Sequence, residues 1–338
     1  MLETLRRVSD HMSRHPFFAP GALRNGHLMT LFASLRPRRW RIGSIPVESR
    51  EFEPEPGVRV LAYCHWQEIR LNRPTVIIIH GLEGSADARY VIGTAEKMWA
   101  RGLNVIRYNV RSCGGTERLS PTLYHSGLTS DIRALLEELR ERDGLENLIV
   151  VGFSMGGNQA LKLAGELGEN GALLLRGVCA ISPAIDLEAS SVAIGRRENW
   201  LYQENFVRSL KASLRRKAAI FPDRYDVEVL RGVRTLRDFD DLVTAPSFGF
   251  RDAVDYYTRS SSQPLIPAIR IPTLIIHAQD DPFIPVEPLT DRSISANRSI
   301  VLVMPEHGGH VAFVGKRDSG EDRCWAENRA AAFCSLIS

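Results

Sequence analysis

The sequence predicts an α/β fold in which helices cover both faces of a mostly parallel central sheet. Two observations favour this class: short β-branched runs alternate with helical stretches, and the alternation resumes after one long helix-rich block. That block, 186–268, lacks a comparable strand and predicts a helical cap insertion. We therefore expect an N-terminal arm at 1–44, a core built from 45–185 and 269–338, and the cap between the two parts of the core.

The predicted elements follow in order along the chain. Apolar and β-branched runs, the first of them forming one or two antiparallel edge strands, predict strands in seven segments: 45–66, 74–79, 104–108, 148–151, 177–181, 272–277 and 299–304. Apolar residues at helical spacing predict helices in seven others: 2–12, 88–101, 129–142, 159–167, 199–214, 252–259 and 322–336.

Composition excludes several function classes. Of the 338 residues, 44% are hydrophobic and 25% are charged, which is ordinary for a soluble globular protein. The net charge is +3, but the first 50 residues hold nine arginines against three acids, so they carry +6. Because the basic excess is confined to this arm, we expect no nucleic-acid partner. We also expect no signal peptide and no transmembrane segment. Five scattered cysteines without a C-x-x-C motif predict reduced thiols and a cytoplasmic location.

The N-terminal arm contains an apolar segment, 26–32, which we expect to pack on the core, followed by the basic run Arg36–Arg41. The basic run could contact lipid phosphates in a peripheral membrane contact, or an acidic partner. The sequence shows no amphipathic helix beside it, and Pro37 argues against one. We therefore expect a solvated surface strip.

The segment Leu148–Val151 is followed by Gly152-x-Ser154-x-Gly156 and then by a helix. This strand–turn–helix context is the one in which G-x-S-x-G forms a nucleophile elbow, with the serine hydroxyl lifted clear of the sheet. Glycines are needed on either side because a Cβ there would collide with the tight turn. The pentapeptide alone is a weak signal, and an ordinary serine in a glycine-rich turn is the alternative.

Polar residues follow two later strands at their carboxyl ends, where functional groups collect in parallel sheets. Asp280 and Asp281 follow one strand, and His307 and His310 follow the next. With Ser154, the chain order is Ser, Asp, His, as expected of α/β-hydrolases. The imidazole can take the serine proton, and the carboxylate can orient the imidazole and stabilise its cation.

Two of these choices stay open at this point. We prefer Asp281 to Asp280 because Asp-x-x-Ile-Pro is similar to the acid loop of many such hydrolases. We prefer His310 to His307 because two glycines before it allow a close approach to the serine. The pair of histidines beside Glu306 could instead begin a zinc site, but no third ligand follows in a recognisable spacing. We expect no metal and no cofactor.

The oxyanion that develops during acyl transfer needs N–H donors. The N–H of Met155, at the head of the helix after the elbow, is one candidate, and the N–H of Leu82 is the second. His80 is expected to brace its loop rather than act as a base, and Cys113 is expected to be a packing residue.

Several motifs resemble those of the YheT-like family of α/β-hydrolases, over the chain from about residue 15 onwards. They are the segments 25–31, 80–85, 109–115, 123–127, 152–158, 237–241, 255–257, 280–283 and 308–311. The resemblance implies a serine carboxylester hydrolase with a charge-relay triad at Ser154, Asp281 and His310. Some relatives carry an N-terminal membrane anchor and act on lipids, and we expect this chain to lack that anchor.

The sequence therefore predicts an esterase that forms an acyl-enzyme on small to medium acyl esters, including lipid-like ones. An acyltransferase or perhydrolase with the same triad is an alternative, and a catalytically silent scaffold is another. The partner is expected to be a small-molecule ester, and the oligomeric state is left open. Aromatic residues of the cap could line an acyl site or form the cap's own core: Trp200, Tyr202, Phe206, Phe248 and Phe250.

Overall fold

The computed structural model describes residues 1–316 and 320–338, and one eight-stranded sheet lies at the centre of these residues. Its strands are β1 (Glu48–Glu55), β2 (Val58–His65), β3 (Thr75–Ile79), β4 (Asn104–Tyr108), β5 (Leu148–Phe153), β6 (Gly177–Ile181), β7 (Thr273–Ile276) and β8 (Ile300–Val303). The strand order is β1-β2-β4-β3-β5-β6-β7-β8. Strand β2 pairs antiparallel with β1 and β4, and every other pair is parallel. The predicted mostly parallel α/β sheet is confirmed.

Helices follow most of the strands. In the described residues they are α1 (Leu2–Arg14), α2 (Gly26–Leu35), α3 (Arg89–Ala100), α4 (Ser130–Glu141), α5 (Met155–Leu167), α6 (Gly171–Leu174), α7 (Leu187–Ile194), α8 (Trp200–Ile220), α9 (Leu236–Phe239), α10 (Ala245–Ser247), α11 (Ala253–Ser260), α12 (Arg292–Ser295) and α13 (Trp325–Ile337). In this set, no helix combines the length and the hydropathy that crossing a membrane would require.

The central strands are buried because helices cover both faces of the sheet. Strands β3, β4, β5, β6 and β7 have no exposed residue, which explains their continuous apolar sequences. Helices α4 and α5 pack on one face, and α1, α3 and α13 pack on the other. The carboxyl ends of the six parallel strands, β3 to β8, are thereby held at one edge of the sheet.

Helices α7 to α11 lie between β6 and β7 and share an apolar cluster of their own. The cluster also includes Phe283 and Ile284, which belong to the loop after β7. The helices thus pack over the carboxyl edge of the sheet. The boundaries proposed for the arm, the core and the cap stay a prediction.

The N-terminal arm is more helical than its sequence indicated. Helix α2 directly precedes the basic run, where the sequence indicated an apolar segment and no helix. The side chain of Asn25 accepts the N–H of Leu28 at 3.0 Å and caps the start of the helix. Pro37 lies beyond the last helical residue, Leu35, and therefore does not interrupt the helix.

Candidate active site

Ser154 occupies a sharp turn between β5 and α5. Strand β5 ends at Phe153, helix α5 begins at Met155, and Ser154 between them has φ 54° and ψ −117°. Its N–H donates to the carbonyl of Ile181 on the neighbouring strand at 2.9 Å. A non-glycine residue at positive φ is strained, and it persists only where surrounding structure holds it.

The two elbow glycines leave no room for a side chain. A Cβ on Gly152 would lie 2.1 Å from the carbonyl oxygen of Gly156. A Cβ on Gly156 would lie 2.6 Å from the carbonyl oxygens of both Ile79 and His80. These neighbours are backbone atoms that cannot rotate away, so the strand–turn–helix geometry requires glycine at both positions.

The structure brings His310 together with Asp281. His310 Nδ1 lies 2.8 Å from Asp281 Oδ2, and the Asp281 side chain is fully buried. The other carboxylate oxygen accepts the N–H groups of Phe283 and Ile284 at 3.2 and 3.0 Å. Burial alone would raise the pKa of Asp281, but the charge and hydrogen bond of His310 outweigh it and hold this pKa below its usual value. The carboxylate is thus suited to fixing the imidazole tautomer.

Asp280 points to different partners. One of its carboxylate oxygens accepts the N–H of Gly309 at 2.9 Å, and the other lies 3.3 Å from His307 Nδ1. The four residues that the sequence left open therefore form two separate pairs. Asp281 contacts His310, whereas Asp280 holds the loop on which His310 stands.

The sequence left open a zinc site at His307 and His310. In the structure, the two imidazoles contact different carboxylates, Asp280 and Asp281. Among the described residues, the one group of three potential ligands that lie close together is Asp322, Cys324 and Glu327. The two carboxylates of this group already form ion pairs within the protein: Lys97 Nζ lies 2.8 Å from both Asp322 and Glu327.

Ser154 and His310 line the same pocket, in which Leu82 and Tyr90 also lie. A Cβ added to Gly81 would lie 3.1 Å from the Cβ of Ser154, so the loop after β3 passes close to the serine. In the described part of the chain, His310 forms its side-chain hydrogen bond with Asp281, and Ser154 Oγ forms none with His310.

The loop after β3 is anchored on both sides of Leu82. The N–H of Gly81 donates to the Tyr90 hydroxyl at 2.9 Å, and the N–H of Glu83 donates to the Tyr124 hydroxyl at 3.0 Å. Leu82 lies between these two anchored residues and lines the pockets beside Ser154. Met155 is the first residue of α5, where N–H groups have no partner inside the helix. Both residues proposed as donors therefore line the pocket beside Ser154.

His80 braces the same loop. Its Nδ1 lies 2.7 Å from the carbonyl oxygen of Gly81, and its Nε2 accepts the N–H of Val110 at 3.1 Å. Burial lowers the pKa of His80 to about 4, so the ring is neutral at pH 7. Cys113 is also buried, and burial raises the pKa of its thiol well above the usual value. Neither group is set up to activate a nucleophile.

Two hydroxyl groups that the sequence reasoning missed position the histidine loop. Thr30 Oγ1 on α2 accepts the N–H of His310 at 2.9 Å, and Ser182 Oγ accepts the N–H of Val311 at 3.1 Å. Val311 and Ser182 both have positive φ, 57° and 47°. A single threonine or serine forms no recognisable sequence motif, so neither residue could be picked out from the sequence. The one signal near Thr30 was the resemblance of 25–31 to a family motif.

An apolar pocket opens on the cap side of Ser154, and the space between its walls, open solvent included, is about 1030 Å³. Its apolar walls come mostly from the cap and include Leu82, Met155, Ala184, Leu187, Ile194, Phe206, Leu210, Leu214, Leu236, Phe239, Phe283 and Ile284. Phe206 is the one predicted cap aromatic that lines it; Phe248 and Phe250 instead pack around His125.

Two buried ionisable groups also line this apolar pocket. Asp240 accepts the hydroxyls of Thr244 and Tyr257, both at 2.8 Å, and burial raises its pKa to about 7. Lys217 donates to Ser112 Oγ at 2.6 Å, and burial lowers its pKa to about 8. Each group has protein partners, so these side chains first of all stabilise the pocket walls.

Comparisons with known proteins agree with this geometry. A family model described as the alpha/beta hydrolase fold matches residues 74–316. The chain is 32% identical over 314 residues to the "Putative esterase YheT" of Escherichia coli (strain K12), covering 92% of this chain and 91% of that protein. It is 31% identical over 266 residues to a monoacylglycerol lipase of Saccharomyces cerevisiae, covering 75% of this chain but 58% of the lipase.

Among solved structures, the esterase Pf2001 of Pyrococcus furiosus superimposes with a TM-score of 0.57. The match covers 88% of this chain and 97% of that chain at 16% identity, so it supports the fold alone. The family model and the YheT match together decide the assignment. The chain therefore belongs to the α/β-hydrolase fold family, and within it to the YheT-like esterases that its sequence motifs resemble.

Proposed function

We propose that this chain is a serine carboxylester hydrolase that hydrolyses small to medium acyl esters through an acyl-enzyme on Ser154. One observation carries the proposal: His310 Nδ1 lies 2.8 Å from the buried carboxylate of Asp281, in a pocket that Ser154 also lines. With Nδ1 bound to the carboxylate, Nε2 is left as the acceptor for the serine proton. Esterases and lipases among the relatives support the same reaction class.

The reaction follows from these roles. Ser154 Oγ attacks the ester carbonyl while His310 Nε2 removes its proton, and the oxyanion accepts the N–H groups of Leu82 and Met155. The tetrahedral intermediate collapses, His310 returns the proton to the leaving alcohol, and an acyl-Ser154 ester remains. Water then attacks the acyl group with His310 as the base, which releases the acid and restores the serine.

Two pockets meet at Ser154, and we assign the acyl part of the ester to one and the alcohol part to the other. The apolar pocket on the cap side contains Ser154 but not His310 among its lining residues, whereas the second pocket contains both. Because His310 must protonate the leaving oxygen, the alcohol belongs in the second pocket. The acyl chain then occupies the apolar pocket, where burial of its methylene groups contributes about 0.8 kcal/mol for each group.

The first experiment is turnover of p-nitrophenyl esters of graded acyl length by wild-type protein, Ser154→Ala and Ser295→Ala. Ser295 is an exposed serine on α12 and serves as the matched control. We expect Ser154→Ala to lose essentially all turnover and all labelling by a fluorophosphonate probe, and Ser295→Ala to behave as wild type. Retained turnover in Ser154→Ala would contradict the proposal, and the absence of labelling in the wild type would favour a silent scaffold.

A second experiment tests the assignment of the acyl pocket. Leu187 is buried and lines that pocket, so Leu187→Trp should fill part of it. We expect the variant to lose turnover of long acyl esters much more strongly than turnover of acetate. Equal losses for every ester would place the acyl chain elsewhere. Product analysis with a competing alcohol separates hydrolysis from acyl transfer.

A further inference from the structure

Helix α2 is apolar on both of its sides, and one side is not covered. Gly26 and Met29 on the inner side are buried, and Thr30 holds the N–H of His310. The outer side carries Leu28, Leu31, Phe32 and Leu35, with exposed fractions of 55%, 42%, 37% and 75%. These four residues are spaced i, i+3, i+4 and i+7 and therefore form one stripe. A helix that is apolar all round is normally buried, so the outer stripe indicates a missing partner.

The chain that carries this stripe is basic. Residues 24–41 contain five arginines and no acidic residue. Arg24, Arg39 and Arg41 are exposed, whereas Arg38 is paired with Glu327. The guanidinium of Arg323 lies 5.9 Å from the ring of Phe32, on the stripe itself. We call the four apolar residues together with Arg24, Arg39 and Arg41 the docking face.

We propose that the docking face binds the surface of an anionic lipid membrane. A helix that exposes an apolar stripe next to arginines can insert the stripe into the boundary between head groups and acyl chains, while the cations pair with lipid phosphates and carboxylates. Exposed Trp200 and Leu201 extend the apolar surface, since the next residue, Tyr202, stacks on His27 at a ring distance of 5.8 Å.

Charge and size exclude a second copy of this chain as the partner. A symmetric dimer through the docking face would bring the arginines of both copies together, which is unfavourable. The ten-residue helix is also only about 15 Å long, while a stable protein interface needs roughly 800 Å² on each partner. A lipid surface has the opposite charge and needs no matching shape.

Helix α2 also forms part of the wall of the active-site pocket. Thr30, Ala33 and Ser34 of α2 line the same pocket as Ser154 and His310. Docking would therefore bring the lipid against a helix whose inner side faces this pocket. Arg36 also lines the pocket, and its buried Nη1 has no hydrogen-bond partner in the described residues.

The test is co-sedimentation of the full chain with vesicles of phosphatidylcholine alone or mixed with phosphatidylserine. We expect binding to the mixed vesicles that falls with added salt. Leu28→Ser/Leu35→Ser should weaken it by roughly tenfold or more, since two apolar side chains no longer enter the lipid. Arg39→Ser/Arg41→Ser should weaken it by roughly 25-fold on anionic vesicles only.

The matched control is Leu71→Ser/Leu173→Ser. Both leucines are as exposed as those of the stripe, at 59% and 66%, but they lie before β3 and β6, at the opposite edge of the sheet. The control should bind vesicles like wild type, and thermal unfolding checks that all variants are folded. Equal binding by the control and by Leu28→Ser/Leu35→Ser, or no binding to any vesicle, would overturn the proposal.

Two further measurements separate lipid binding from self-association and from ester hydrolysis. A dimer of the wild-type protein in light scattering that dissociates in Leu28→Ser/Leu35→Ser would show that the face binds a second copy and would overturn the lipid proposal. Ser154→Ala should bind vesicles like wild type, because docking uses no catalytic group. The two proposals can therefore fail separately: the protein could hydrolyse esters without binding vesicles, or bind vesicles without hydrolysing esters.

Discussion

Gly26→Ala is the sharpest test of how the N-terminal arm supports the histidine loop. A Cβ on Gly26 would lie 1.9 Å from the carbonyl oxygen of Asp280 and 3.0 Å from its carbonyl carbon. Helix α2 and the acid loop must then separate by more than an ångström, because neither backbone can rotate aside. The separation would pull Thr30 Oγ1 away from the N–H of His310, which it now accepts at 2.9 Å.

The expected magnitude follows from the contact. Forcing an extra methyl group into a packed seam costs about 1–3 kcal/mol of unfolding free energy. Alanine favours a helix by up to about 1 kcal/mol over glycine, so helix propensity opposes any loss and cannot cause it. Displacing a catalytic group by about 1 Å can reduce the rate roughly 100-fold. We expect kcat/KM for p-nitrophenyl butyrate to fall by about 10- to 100-fold.

Gly21→Ala is the matched control for this variant. Gly21 belongs to the same arm, and a Cβ there would meet no atom within 4 Å. Steady-state kinetics and urea unfolding of the two variants and the wild type measure both effects. If Gly26→Ala is as active and as stable as Gly21→Ala, the contact between α2 and the acid loop does not position His310, and the reasoning is wrong.

Three further predictions follow from the site. Asp281→Asn should lower kcat by about 10⁴-fold, whereas Asp280→Asn should lower it far less, because only the former changes the imidazole tautomer; steady-state kinetics of both variants compares them. The raised pKa of Asp240, about 7, means that the folded state holds a proton which the unfolded chain has released above its usual pKa. The contribution of Asp240 to stability should therefore fall as pH rises from about 4 to 7, and the stability of Asp240→Asn relative to wild type should grow over this window by up to a few kcal/mol in urea unfolding. Gly156→Ala should give no soluble, folded enzyme, since its Cβ would lie 2.6 Å from two backbone oxygens; a native unfolding transition in this variant would contradict the geometry.

Local patterns explain why much of the fold was predictable from the sequence. Strand β5 is apolar throughout because both faces of the sheet are covered, and its boundary with α5 is fixed by the two elbow glycines. Ser154, Asp281 and His310 became candidates because functional groups collect at the carboxyl ends of parallel strands. The α/β-hydrolase fold class is confirmed, and so is the resemblance to YheT-like esterases.

Features that depend on contacts between distant segments could not be predicted. The choice between Asp280 and Asp281 rests on which carboxylate reaches His310, a distance set by packing and not by local sequence. The anchoring hydroxyls of Tyr90 and Tyr124 carry no spacing signal, although they fix the N–H groups on either side of Leu82. The cytoplasmic location and the domain boundaries stay predictions.

The arm shows most clearly why a sequence pattern can be ambiguous. An apolar run such as 26–35 predicts burial, and the structure buries only one side of it. The buried side carries Thr30, which fixes the backbone of His310, while the adjacent Leu31 faces outward. A ten-residue helix is rigid, so whatever binds the outer side also restrains the Thr30 hydroxyl on the inner side. The proposed membrane docking and the proposed placement of the catalytic histidine therefore depend on a single element, and a lipid surface that held α2 would also hold the histidine proposed as the base for Ser154.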